Sequence, residues 1–396
     1  MTLPGVILTG TACDAYLSPE AYVAAIVRFE LALARAQASI GLIPSPAMRA
    51  IESAVADYRP DLESIVAGGH RAGTPVVEIL DQLRSCVEYR TAGAGQYVHI
   101  GATSQDALDT ATALCLQPCV KLARSALERA RTAAFGLAQT HAEAPVLART
   151  LLQAAGITTF GFKSAQWGVS LRGCESRLTA AAGSGLSLQL AGAIGTGLGL
   201  GDQWSEIQTL VAGELGLSAA RWQVPRDATS NLLVQLALTT GVAVKIAGDL
   251  ALMNQTEVAE IDEPSAAGGL SSAMPHKRNP VMCMRIRGCG HVVQGLSAAV
   301  LGTMDSEHER GLGSWQAELA IAPSLVSYAV GAIDTLADLL EGVTFNAGRA
   351  SRNIEQAAAS VAESGQPSPL TFDRQAAVSA AARATMNILS EEGTFR

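Results

Sequence analysis

Gly268–Pro280 reads GGLSSAMPHKRNP. It strings together two glycines, adjacent serines, a Met-Pro, the potentially cationic His276, Lys277 and Arg278, and an Asn-Pro stop. Such a composition makes a poor core segment and a good reactive loop. Glycine lets the backbone close over a ligand, while serine hydroxyls, Lys277 and the Asn279 amide can address a carboxylate. A plain Gly/Ser/Pro surface loop is the competing reading. Asn279-Pro280 also punctuates a helix start, whatever else it does.

Working outward, two further blocks stand out: GATSQDALDTA at Gly101–Ala111 and EHERGLGSWQAE at Glu307–Glu318. SSAMPHKRNP matches all seven fixed positions of the SSxMPxKxNP motif, so the loop resembles that of the fumarase/aspartase superfamily. The other blocks occur in the family's order and look most like those of 3-carboxy-cis,cis-muconate cycloisomerases, with adenylosuccinate lyases a more distant match. The resemblance runs from about Ser18 to about Leu340. It implies an all-α, three-domain fold with a central long-helix bundle.

The texture of the chain agrees with that. Its 396 residues are long enough for two or three domains, and only 4% are aromatic, which suits close-packed alanine-rich helices. Ser18-Pro19 is a helix cap followed by Tyr22, Ile26, Phe29 and Leu33 at helical spacing, and similar starts recur at Ser45-Pro46 and Thr74-Pro75. Residues 1–100 therefore read as a small N-terminal helical domain. Long helices are expected at about 104–139, 159–183, 228–262, 279–303 and 315–342, with a kink at Pro118. Together they make a bundle over 101–342, with apolar faces left for other subunits. Residues 343–396 read as an abbreviated C-terminal helical domain. No clear strand pattern appears, although a short hairpin near the loops fits. Gly195–Gly201, GTGLGLG, fails the GxGxxG spacing and reads as a flexible connection.

Composition narrows the function. A net charge of −8 argues against a nucleic-acid surface and means that an anionic substrate has to meet local cations. Seven cysteines without a CxxC pair read as reduced thiols, and six scattered histidines form no metal motif. No Lys or Arg precedes Arg28, which argues against a secretory leader, and the most apolar run, Leu232–Met253, contains Lys245 and Asp249. The expectation is a cytoplasmic protein with no membrane contact, metal or cofactor.

The resemblance implies chemistry at a carbon beside a carboxylate, where an aci-carboxylate must be stabilised. It makes Ser271 the proton-transfer residue and assigns Lys277 and Asn279 to a substrate carboxylate. Thr103 and Ser104 open the first long helix, whose N-terminus is an anion site by its own physics; an ordinary cap has the same local structure. His99 matches a family active-site histidine. Arg149, Thr150 and Gln153, in ARTLLQAAGITTFG, align with a second block in which carbon–nitrogen lyases carry a proton-transferring histidine. Here Leu151 takes that place, weakening the lyase reading and tolerating the cycloisomerase one. Arg310 resembles an arginine that pairs with a substrate carboxylate, against a competing salt bridge to Glu307 or Glu309. Gln255, Glu257 and Glu260 read as helix-packing polar residues bordering the site. Leu270 replaces a usual glycine. The expected function is lactonisation of 3-carboxy-cis,cis-muconate or an analogue, by a homotetramer with active sites shared between subunits. A lyase or epimerase acting on a substituted succinate is the alternative, and a non-catalytic assembly the third.

Overall fold

The computed structural model describes residues 3–219, 224–264, 268–269, 273–274, 276–364 and 369–393. Helices α1 (Leu3–Thr9), α2 (Asp14–Leu17), α3 (Pro19–Ser39), α4 (Ser45–Asp57), α5 (Leu62–Ala72) and α6 (Val76–Arg90) come first. The long elements are α7 (Ser104–Thr140), α8 (Phe160–Gly185), α10 (Asp227–Met253), α11 (Val281–Gly302) and α12 (Ser314–Gly342), with the shorter α9 (Trp204–Leu215) between α8 and α10. Two more, α13 (Ala347–Glu363) and α14 (Arg374–Glu391), close the chain. The fold is all-α, with the five long helices as its bundle.

Side-chain contacts give the bundle its direction. Arg310, ahead of α12, reaches Thr103 at the cap of α7, and Trp315 reaches Asp109. Further along, Arg129 binds Asp334 at 3.1 Å and Glu341 at 3.0 Å. At the far end the His141 ring sits 5.3 Å from Phe345. Helices α7 and α12 thus run parallel, and α10 runs with them because Arg226, at its start, pairs with Asp109 and Glu318. Helices α8 and α11 return the other way. At about 1.5 Å per residue, the 29 residues of α12 separate the two ends by about 40 Å.

One apolar core fills the bundle and includes Leu127, Leu171, Leu236, Ile286 and Leu336, all fully buried. Each such side chain contributes about 1.5–3 kcal/mol on leaving water. A second core joins α3–α6 to the first third of α7 and to α9.

Several expectations need correction. The third long helix ends at Met253 and not at 262, because the chain folds back: Glu260 N–H donates to Met253 O, and Ile261–Asp262 pairs with Thr344–Phe345. Strand β1 (Pro145–Thr150) and β2 (Gln153–Thr159) form an antiparallel hairpin, the short hairpin allowed for above. The glycines of Gly195–Gly201 make a tight seat: a Cβ on Gly101 would lie 2.6 Å from Gly199 O and one on Gly199 2.7 Å from Gly101 Cα. Finally, α10 and α12 are both long and apolar enough to cross a membrane. Here they pack inside the bundle, though Leu238 on α10 and Leu301 on α11 remain more than half exposed beside a shallow apolar groove.

Candidate functional site

The starting end of the bundle holds a candidate anion cradle. Thr103 is the cap of α7, and the carboxylate of Asp106 reaches back to its N–H at 2.9 Å. That carboxylate also accepts from Gln189 Nε2 at 2.8 Å and from the N–H groups of Ala191 and Gly192 at 2.9 Å each. Burial pushes its pKa up to about 6, and the four donors keep it ionised at neutral pH. Asp106 therefore ties the 189–192 segment to the helix start. Arg310 closes the same seat: its guanidinium, on an exposed residue, donates to Thr103 Oγ1 at 2.9 Å, to Gln105 Oε1 at 3.1 Å and to Ala193 O at 3.4 Å. The competing ion pair with Glu307 or Glu309 does not form; the Glu307 carboxylate accepts from Leu312 N–H instead. Half-buried Thr103 and Ser104, the α7 N-terminus and the exposed Arg310 thus lie together at this end.

His99 stands four residues upstream, in the left-handed region at φ 68°, with Nδ1 2.6 Å from Glu30 Oε1. Burial works to lower its pKa, but the Glu30 carboxylate outweighs burial and raises it above the ordinary value. Beneath the cradle lies a buried ionic cluster in which Arg226 holds Asp109 at 2.8 Å and Glu318, while Trp315 Nε1 and Gln105 Nε2 also donate to Asp109. The cluster locks α7, α10 and α12 together at their N-termini.

The other end carries the remaining residues. Arg149 makes a two-pronged pair with Glu260 at 3.0 Å on both arms, and Asn353 Nδ2 adds a third donor to Glu260 at 2.8 Å. Its guanidinium is thus committed to a fully buried carboxylate, although a quarter of the side chain stays exposed. Half-buried Lys163 lies nearby; burial lowers its pKa against the pull of Asp249. Thr150 and Gln153 are exposed and pair across the hairpin tip. Between them Leu151 and Leu152 occupy the turn with φ of 49° and 66°, 96% and 67% exposed.

The loop read first rises from this end. Glu263 accepts from Met282 and Cys283 N–H at 3.0 and 2.9 Å, capping α11, and Asn279 N–H donates to Gly269 O at 2.8 Å. A Cβ on Gly269 would lie 2.4 Å from Asn279 O, so glycine is required at this neck. Lys277 is exposed and Asn279 half-buried. Ser271 and Leu270 lie outside the described residues. Within one chain, then, Thr103, Ser104, His99 and Arg310 gather at one end, and Arg149, Thr150, Gln153, Lys277 and Asn279 at the other. Among the described residues no three His, Cys, Asp or Glu side chains converge as a metal site would require.

A lyase family model matches residues 14–295. The chain belongs to the fumarase/aspartase superfamily. Its relatives in that superfamily include the 3-carboxy-cis,cis-muconate cycloisomerase of Bradyrhizobium diazoefficiens, 38% identical over 330 residues that cover 83% of this chain and 73% of the relative. A nitrosuccinate lyase of Streptomyces davaonensis is also 38% identical, over 357 residues covering 87% and 75%. The crystal structure of beta-carboxy-cis,cis-muconate cycloisomerase from Acinetobacter calcoaceticus superposes with a TM-score of 0.83 at 30% identity, covering all of this chain and 93% of the other. The superfamily member described here is an enzyme of the lyase and cycloisomerase kind. Sequence reading passed over Glu30, Asp109, Arg226 and Glu318. Arg226 is 92 and 117 residues from its partners, a separation that no local pattern reports.

Proposed function

We propose that this superfamily enzyme lactonises 3-carboxy-cis,cis-muconate or a close analogue. One substrate carboxylate adds through oxygen to a carbon of the diene. The new C–O bond closes the ring, the displaced π pair moves toward a neighbouring carboxylate as an aci-carboxylate, and a proton delivered to carbon completes the addition. In this reading Ser271 handles the proton, His99 assists it, Lys277 and Asn279 address the carboxylate that gains charge, and Thr103, Ser104 and Arg310 seat another. Arg149, Thr150 and Gln153 border the pocket; Arg149 acts chiefly through Glu260.

The observation that carries the reading is the pairing of Arg310 with the cap of α7, which builds a carboxylate seat from a helix N-terminus and a planar cation. The loop and hairpin stand about 40 Å away, a helix length, so a complete pocket requires another copy of the chain. A homotetramer with shared sites answers that, and the exposed apolar groove between α10 and α11 supplies a surface for it. Cytoplasmic location, a role in aromatic catabolism, and domains at 1–100, 101–342 and 343–396 complete the proposal.

Leu151 favours cyclisation over elimination, because the residue at the hairpin tip cannot carry a proton. Incubation with 3-carboxymuconate, followed by loss of diene absorbance, tests it. The second reading is elimination from nitrosuccinate, favoured by the equally similar lyase relative. Release of fumarate and nitrite, with no change in the diene, selects it.

A further inference from the structure

We propose that Glu30 is a positioning residue for the anion cradle: from α3 it fixes His99 as an imidazolium, protonated on Nδ1, that offers Nε2–H to a carboxylate seated at the start of α7. The inference deepens the proposed function and rests on its reading of that end as a carboxylate seat.

The geometry sets the proton. An ionised carboxylate only accepts hydrogen bonds, so at 2.6 Å from Glu30 Oε1 it is His99 Nδ1 that donates. Nε2 is then the nitrogen left for a ligand, and the buried negative charge favours a proton there as well. The backbone is bent to the same end. His99 takes a left-handed φ of 68°, its carbonyl accepts from Ala102 N–H, and Gln37 Nε2 on α3 donates to Ile100 O at 2.7 Å. Helix α3 thus grips this turn at two points, Glu30 and Gln37, two helical turns apart. The Glu30 side chain is 1% exposed, and its Oε2 has no partner among the described residues. A half-used carboxylate in an apolar core lowers stability, a cost that an apolar side chain of similar size would avoid.

Three elements present charge to His99. Glu30 from α3 and Asp106 from α7 favour the imidazolium; Arg84 from α6 and burial oppose it, and the balance lies toward protonation. The cationic form therefore persists below a raised pKa and is lost as pH climbs through it. Affinity of the cradle for a carboxylate should fall over the same interval.

Six histidines make the test tractable. In the assembled protein labelled with ¹³C at histidine Cε1, the His99 resonance is identified by its loss in His99→Gln. It is then titrated in wild type, Glu30→Gln and Glu30→Asp, with tricarballylate as the probe carboxylate. The expected wild-type midpoint lies above that of free histidine. It moves to lower pH in Glu30→Gln and returns part-way in Glu30→Asp. At pH 7.5 the tricarballylate Kd rises about tenfold in Glu30→Gln, the loss of one charge-assisted hydrogen bond, and the difference narrows at pH 6. A wild-type midpoint at or below that of free histidine overturns the proposal, even if Glu30→Gln fails to fold. So does an unmoved midpoint in Glu30→Gln, or a Kd penalty that is absent or independent of pH. Lack of turnover on every muconate and succinate would refute the proposed function alone, since titration and probe binding still decide the role of Glu30.

Discussion

If a complete pocket joins the cradle of one chain to the loop of another, two crippled variants should rescue each other. Arg310→Met removes the cation from the cradle, whose charge-assisted bonds contribute about 1.5–3 kcal/mol, and should lower kcat/KM by roughly 10- to 150-fold. Ser271→Ala removes the proton-transfer group and should cost about 100-fold or more. The lesions sit at opposite ends of helices that hold them about 40 Å apart in one chain. The variants are mixed in equal amounts, dissociated in mild denaturant, reassembled and assayed for loss of the carboxymuconate diene. With random assortment and each pocket taking its two halves from different chains, about one pocket in four receives both intact halves. Activity should therefore return to about a quarter of wild type. Were each pocket built from a single chain, every pocket would carry a lesion. Recovery no greater than that of either variant alone, after reassembly confirmed by size, would refute the shared-site reasoning.

Arg226→Met should destabilise the protein by about 3–5 kcal/mol in denaturant unfolding, because Asp109 and Glu318 are left as buried charges without their cation. Replacing Leu151-Leu152 by Asn-Gly should relieve left-handed strain in the hairpin turn and raise stability by about 1–2 kcal/mol, while lowering kcat/KM if the leucines wall the pocket. His141, packed against Phe160 and Phe345, has its pKa lowered by burial, so the unfolded chain takes up a proton before the native one as pH falls. Wild type should then lose more stability between pH 7 and 5 than His141→Asn does, as followed by urea midpoints; equal slopes would remove His141 from the account.

Much of this protein was written locally in its chain. Thr103 and Ser104 favour a helix start, the alanine- and leucine-rich runs propagate it, and the expected starts and ends of α7, α8, α11 and α12 lie within two residues of those observed. Motif spacing likewise marked Thr103, Arg310 and the Gly268–Pro280 loop. Where Met253 ends a helix was not legible, because the stop comes from a strand pairing with Thr344–Phe345 across 80-odd residues. Nor were the partners of the charges at the candidate site. Whether Arg310 pairs with Glu307 or caps α7, whether Arg149 is open or held by Glu260, and whether His99 is backed by a carboxylate all depend on which helices lie side by side. Side-chain periodicity reports which face of a helix is apolar, but ion pairs and hydrogen bonds reach only about 3 Å, so their assignment waits for tertiary packing.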